Sequence, residues 1–356
     1  MTSQTSVMNS LKPSVWFSKQ MHKTWRVLSH MVVLMLSLSL SLSLSLSLLW
    51  VPSAHAQSTA YPNKPVKFVV AFAPGGPADI IARLLGQRLS ESIGQPVVVE
   101  NRAGAGGNVG SGIVAKAPAD GYTLLLTTSS FAVNASLSKN AGFDAEKDFV
   151  LTTVVASSPN LLVSFPGLKA KNLQDIMAEA KSGKLNYGTA GAGTTPHLTA
   201  EYLFKVLGKV DVTHIPFQGA GPALAATMGG QVEMASVALP AAVEMVKGGK
   251  VRGLAVTSNK RVPSMPDVPT VAESGFAGFE DYTWVGVFTP VKTPTEVVSY
   301  LNQEINKILR TAEFQNKLSG VGFEAVGGSP KEAADYLKLE INKWAKIVKE
   351  TGVKTD

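Results

Sequence analysis

Val66–Arg83, VKFVVAFAPGGPADIIAR, constrains the fold more than any other stretch of the chain. Val66, Phe68, Val69, Val70, Ala71 and Phe72 make a short, nearly continuous apolar run, as expected of a strand covered on both faces. Pro74, Gly75 and Gly76 break it, and without a Cβ the two glycines let the backbone turn sharply. Ile80, Ile81, Leu84 and Leu85 then recur at helical spacing. A strand opening through such a turn onto a helix N-terminus presents free N–H groups and the positive end of the dipole. That place suits a carboxylate or a phosphate, although many α/β proteins have the same turn with nothing bound.

The unit recurs. Pro96–Glu100 reads as a second strand and Tyr122–Thr127 as a third, which ends in the hydroxyl run Thr127, Thr128, Ser129 and Ser130. At the C-terminal edge of an open parallel sheet those hydroxyls either meet a ligand or cap the helix over Phe131–Leu137. Phe149–Val155 and Leu161–Ser164 read as strands separated by Ser157-Ser158-Pro159. A second set of strand–helix units runs from Asn172 to Thr257, with the glycine loop Ala190–Pro196 between strand Leu185–Thr189 and a helix beginning at His197. Residues 258–281 read as a long loop, Tyr282–Phe288 as a strand, and Thr293 to Thr351 as mostly helical. Two sets of units and a helical return predict a two-lobed α/β protein with a cleft between the lobes. The first lobe is expected over 57–158 and 284–356 and the second over 159–283, joined by strands near 150–163 and 282–289.

The formal net charge of +7 misleads, because residues 1–56 carry Lys12, Lys19, Lys23 and Arg26 and no acid. Setting those four aside leaves 29 of the 33 basic residues against 26 acidic ones, with no basic run of the nucleic-acid kind. Met31–Val51 is uncharged and includes a strict Ser-Leu alternation; Ala54-His55-Ala56 after it fits a small-x-small cleavage site. The pattern is that of a secretory signal peptide cleaved after Ala56, with an uncleaved anchor as the alternative and Met21 as an alternative start. Either way the folded part is expected outside the cytoplasm, in the periplasm.

No cysteine is present, which excludes disulfides, thiolate metal sites and a cysteine nucleophile. Asn101–Gly110 resembles a dinucleotide fingerprint, but Val109 stands where GxGxxG wants a glycine, and no glycine run ends in Gly-Lys-Ser/Thr. There is no GxSxG elbow. Ser136-Leu137-Ser138-Lys139 matches S-x-x-K, but without its companion motifs. His197 and His214 lack metal-ligand spacing. His197, at a helix start, either orients a carboxylate or packs; His214, in an apolar strand, reads as a core histidine. Asp79 and Arg83 are spaced to pair on one helix. Backbone N–H groups and hydroxyls, which bind rather than react, are what the chain offers. Neither a cofactor nor a metal is expected.

The motifs APGGPADIIAR (73–83), VVVENRAGAGGNVGSGIVAKAPADGYTLLL (97–126), GTAGAGTTPHLTAEYL (188–203), HIPFQGAGPAL (214–224), PDVPTVAESG (266–275) and WVGVFTPVKTP (284–294) occur in order. Together they resemble the Bug family of extracytoplasmic receptors, the solute-binding components of tripartite tricarboxylate transporters. The resemblance spans about residues 61 to 352. It implies a type II periplasmic-binding-protein fold whose two lobes close on a small carboxylate, often through ordered waters. Carried over, the ligand-holding positions are Pro74, Gly75, Gly76 and Asp79 of the first lobe, flanked by Phe72 and Ala78, and Gly193, Thr194, Thr195 and His197 of the second. Thr128, Ser129 and Ser130 join them from the hydroxyl run.

Two departures bear on the ligand. The family often has Tyr-Lys/Arg-Gly where this chain has Phe217-Gln218-Gly219, and an acid where it has Val237. If those positions line the cleft, a cation and an anion are missing. An unpaired buried charge is costly, so a less charged ligand is expected: an aromatic or apolar monocarboxylate, or an amide. The expected partners are that ligand and the membrane subunits of a transporter, with the receptor a monomer. A ligand-sensing adaptor for a membrane sensor kinase is the second reading. A hydrolase on the same fold is the third, disfavoured by the missing nucleophile and acid pair.

Overall fold

The structure, a computed structural model, describes residues 25–36, 61–138 and 141–354. Residues 25–36 form an exposed helix. Among the described residues no helix is long and apolar enough to cross a membrane. The Ser-Leu repeat and the expected cleavage after Ala56 lie outside the described residues. The chain divides after Ser58, and the fold below is that of Tyr61 onward.

The first lobe grows from β1 (Val66–Val70), paired in parallel with β2 (Val97–Asn101) on one side and β3 (Thr123–Thr128) on the other. β1 is buried except at Lys67, whose amine reaches Glu100 of β2 at 2.9 Å. The glycine turn leads into α1 (Pro77–Ile93), started by Pro77 after Gly76 and stopped by left-handed Gly94. Ile81, Leu85 and Leu89, one turn apart, bury its inner face. α2 (Asn108–Ala115) and α3 (Ser130–Leu137) complete the units.

One long strand, β4 (Phe149–Ser164), joins the lobes. Up to Pro159 it pairs antiparallel with β9 (Tyr282–Pro290), which itself lies against β3. From Asn160 it pairs instead with β7 (Met234–Ala238) and β8 (Arg252–Val256). The sequence predicted a break at Ser157-Ser158-Pro159; the structure has a continuous strand. Pro159 sits where one set of partners ends and the next begins, a point at which a missing N–H costs no ladder bond. β5 (Asn186–Thr189) and β6 (Thr213–Pro216) extend the second-lobe sheet in parallel from β7. Leu162 and Val163 point to opposite faces and belong to two separate cores. One contains Tyr187, Leu203 and Phe204 under α4 (Leu173–Ser182) and α5 (Thr195–Glu201); the other contains Leu224 and Val237 under α6 (Ala220–Met228) and α7 (Val243–Lys247).

The C-terminal helices α8 (Thr295–Leu309), α9 (Ala312–Gly320) and α10 (Pro330–Thr351) return to the first lobe. Leu301, Ile305, Phe314, Leu337 and Trp344 share one core with Phe68, Leu126 and Phe288. Trp284 of β9 and Trp344 both donate to Glu340, at 2.9 and 3.1 Å, which ties the last helix to the connecting strand. The return, expected to be mostly helical, also contains β10 (Glu324–Gly327), paired antiparallel with β4. Four residues, alternately exposed and half-buried, leave too little pattern to distinguish from a loop.

Candidate functional site

The first-lobe turn is held by a buried carboxylate. Asp79 accepts the Gly75 N–H at 3.0 Å, both arms of Arg83 at 3.0 and 2.9 Å, and the Asn101 amide at 3.0 Å. The same Asn101 amide donates to the Phe72 carbonyl at 2.9 Å. Burial alone would raise the Asp79 pKa; the hydrogen bonds from Arg83, Gly75 and Asn101 outweigh it and hold the carboxyl below its ordinary value. Asp79 therefore shapes the turn from behind, as an anion at pH 7.

The second-lobe loop, Ala190–Thr195, has a different anchor. His197 Nδ1 accepts the Gly193 N–H at 3.2 Å. Its ring stacks on His214, with centroids 3.8 Å apart. His214 Nε2 meets the Thr189 hydroxyl at 2.7 Å, and that hydroxyl bonds both the carbonyl and the N–H of Gly191. Burial lowers the His197 pKa to about 4 and the His214 pKa to about 3, so both rings are neutral at pH 7.

Between the two loops lies a small cavity, of about 20 Å³ in this arrangement of the lobes. Phe72, Gly76, Pro77, Thr128 and Ser130 line it from the first lobe; Ala190, Thr194, Pro196, Ala220 and Ala238 from the second; Thr283 from the connecting strand. No lining residue carries a charged side chain. Instead helices start at the cavity wall from both sides. Gly76 and Pro77 begin α1, Ser130 begins α3 and Ala220 begins α6, while Thr194 precedes α5, which runs on as a π-helical turn to Leu207. Each helix start brings roughly half a positive charge to the wall; at α3 the Ser130 N–H is taken by the Thr128 hydroxyl and at α5 the Thr195 N–H by the Ser130 hydroxyl, at 3.3 and 3.4 Å.

The lobes touch around the cavity. The Ala73 N–H donates to the Gln218 carbonyl at 3.3 Å. The Ser129 hydroxyl meets that of Thr195 at 2.9 Å, and Thr195 continues to Thr283 at 2.9 Å and from there to Asn160 at 2.6 Å. On the far side Gly106 lies against the Ala192 carbonyl and Gly193 against the Asn134 side chain; a Cβ on either glycine would overlap its neighbour across the cleft. The run that resembles a dinucleotide fingerprint is in this structure a lobe-to-lobe seam.

The expected site residues thus fall into groups. Phe72, Gly76, Thr128, Ser130 and Thr194 line the cavity. Ser129, Thr195, Gly193, Gln218 and Gly219 lie on the seams, Gln218 through its backbone. Asp79 and His197 stand behind the loops they hold. Pro74 and Gly75 are exposed, and Ala78 is in the first-lobe core. Phe217 packs over Gly188. Val237 is in a second-lobe core and Gln218 is exposed; neither lines the cavity, so the supposed loss of charge at those two positions does not bear on it. Sequence reasoning passed over Pro77, Ala190, Pro196, Ala220, Ala238 and Thr283. The first five sit at strand ends or helix starts beside residues it did name; Thr283, on a connecting strand, gave no signal. Among the described residues no group of three or more histidines and acids is placed to hold a metal.

Two lobes, a strand crossing between them and a cavity walled by helix starts define a type II periplasmic binding protein. The chain belongs to the tripartite tricarboxylate transporter family receptor family, TctC, whose model matches residues 81–353. It is 39% identical over 294 residues to the UPF0065 protein in the tcbD-tcbE intergenic region of Pseudomonas sp. strain P51, covering 82% of this chain and 87% of that protein. To protein BugT of Bordetella pertussis it is 36% identical over 306 residues, 85% of this chain and 94% of the relative. Among solved structures, R. palustris Rpa4515 with adipate superposes with a TM-score of 0.80 at 37% identity, over 83% of this chain and 99% of that one. MatC from Rhodopseudomonas palustris with bound malate gives 0.77 at 32%, over 81% and 100%. The family consists of solute-binding proteins.

Proposed function

We propose that this protein is a periplasmic receptor that closes on a small monocarboxylate with an apolar body and delivers it to a tripartite tricarboxylate-type transporter. The observation that carries the reading is the wall of the cavity. Helix starts from both lobes can hold one carboxylate through backbone N–H groups and hydroxyls, while Phe72, Pro77, Pro196 and the alanines leave only apolar surface for the rest of the ligand. Buried without a cation beside it, a second carboxylate would lose its hydration. Adipate and malate, the dicarboxylates in two solved relatives, support a carboxylate ligand but do not favour a single carboxyl; only the uncharged lining favours one carboxyl over two. Family membership and the basic, then apolar, N-terminus support export to the periplasm.

A thermal-shift screen of protein refolded free of carried-over ligand tests this. The panel is aliphatic and aromatic monocarboxylates, their amides, and di- and tricarboxylates. At a hundred times its dissociation constant a ligand adds about 2.7 kcal/mol of stability. The expected result is a shift confined to monocarboxylates. A di- or tricarboxylate as the tightest ligand overturns the charge assignment, and no shift with any acid overturns the receptor reading.

A further inference from the structure

We propose that the stacked His197–His214 pair is a proton-sensitive clasp that holds the second-lobe loop in the shape that lines the cavity. The inference rests on reading that cavity as the ligand site. The loop carries Ala190 and Thr194 into the cavity and presents Gly193 to Asn134 of the other lobe. It is tied down at both ends by imidazoles: at Gly193 by His197, and at Gly191 through Thr189 by His214. Nδ1 of His197 accepts a hydrogen bond, so it carries no proton in this arrangement. A proton taken from solvent at Nδ1 turns that acceptor into a donor facing the Gly193 N–H. If both rings charge, two cations lie stacked 3.8 Å apart.

The surroundings relieve this only in part: the Glu201 charge favours the protonated form of His214, against burial and the Lys205 charge. Glu201, one turn along α5, has a carboxylate oxygen 3.9 Å from His197 Nε2. It is already engaged by Lys205 and by the Tyr187 hydroxyl, which donates to it at 2.5 Å. Tyr187 also lies against His214, with ring centroids 5.1 Å apart. From the direction of the C-terminal helix, Asp281 bonds Thr199 of α5 and pairs with Lys343 at 3.2 Å. That pair is mutually satisfied and offers the imidazoles no counter-ion. Burial is the first cause of the lowered pKa at both histidines, with the Lys205 charge next at His197 and the charge of His197 next at His214. Once the loop opens, His197 returns toward 6.5, so acid favours the open form.

The experiment is hydrogen exchange of the full chain, without ligand, at pH 7.5, 6 and 5, corrected for intrinsic rates. Peptides over 188–197 report the second-lobe loop, and peptides over 72–79 the first-lobe turn. A closed-loop value of about 4 against 6.5 in the open loop predicts that the open loop is about 30-fold more populated at pH 5 than at pH 7.5. The 188–197 protection should fall by that factor while 72–79 stays constant. His197→Asn keeps an acceptor oxygen near the place of Nδ1 but does not titrate, and should hold its protection at every pH. His197→Phe keeps the stack without the acceptor and should expose the loop at every pH while the α4 peptides stay protected. Unchanged protection of 188–197 in the native protein at pH 5, or an equal acid loss in His197→Asn, overturns the clasp. If His197→Phe fails to fold, the native and His197→Asn profiles still decide. The readout uses no ligand, so a failed clasp with a positive carboxylate screen leaves the receptor standing, and the reverse leaves the clasp.

Discussion

The two loops that face each other across the cavity do the same task with opposite chemistry. The first-lobe turn is fixed by an anion: Asp79, buried, bonded to Gly75 and Asn101 and paired with an Arg83 that is 57% exposed. The second-lobe loop is fixed by two stacked neutral rings, His197 buried and His214 half-buried. A carboxylate held by N–H donors and a guanidinium is indifferent to pH until it protonates. An imidazole acceptor with a depressed pKa keeps its role in the closed form but holds that form less firmly as pH falls below the ordinary 6.5, because the open form takes up the proton. One lobe is therefore a rigid platform over the physiological range and the other a conditional one.

The loops differ most sharply in what an added methyl group would meet. Gly75 (φ +85°) faces open space, and Gly193 (φ +75°) faces the Asn134 side chain of the other lobe. Gly75→Ala should cost about 1–2 kcal/mol of stability, the strain of a left-handed alanine, and leave closure intact. Gly193→Ala should cost that and about 1–3 kcal/mol more for the overlap. The second part falls on the closed form alone. Ligand affinity should thus drop about 5–150-fold in Gly193→Ala beyond any drop in Gly75→Ala, measured by titration with the best acid of the screen. Equal affinities in the two variants would mean that the seam is not part of the bound state.

This contrast explains what was legible in the sequence. The β1–turn–α1 unit could be read because strand, turn and helix are contiguous, and their periodicity changes at Pro74. The division into lobes could be read from the two sets of units. Contacts between elements distant in sequence could not. Gly106 and Ala192 meet across 86 positions only because the lobes close, so the glycine run offered a nucleotide fingerprint as its nearest local explanation. His197 could be placed at a helix start, but whether its ring faces the ligand or supports the loop depends on His214, which reaches it through sheet pairing of β6 with β5. Val237 came from the resemblance, as the position where the family often has an acid; in this structure its side chain lies in a second-lobe core and its neighbour Ala238, on the opposite face of the strand, is at the wall.

A middle-sized effect tests the anionic anchor. Asp79→Asn keeps the size of the side chain but leaves Arg83 without its partner and weakens the acceptor for Gly75. The expected loss is about 1–3 kcal/mol, that of a charged hydrogen-bond group removed from a largely buried site, measured by urea unfolding at pH 7. The sign of the pH effect follows. The folded-state pKa of Asp79 is depressed, so its contribution is present above the unfolded carboxylate value near 4 and is lost as pH falls below it. The difference between native protein and Asp79→Asn should accordingly be constant from pH 8 to 5 and shrink below pH 4.

The smallest effect separates the two anchors most cleanly. For His197 the unprotonated form is the native one, and its folded value near 4 lies below the unfolded 6.5. Between those values the unfolded chain binds more protons than the folded one, so stability falls as pH falls through that window. Most of the loss lies below pH 6; from pH 7 to 6 it should be only about 0.7 kcal/mol for His197 alone. Over the same interval the Asp79 anchor contributes nothing to the slope. Urea unfolding of native protein, Asp79→Asn and His197→Asn at pH 7 and 6 should therefore give the same small acid loss in the first two and a shallower one in the third. A slope that disappears in Asp79→Asn but survives in His197→Asn would reverse the assignment and make the first lobe the pH-dependent one.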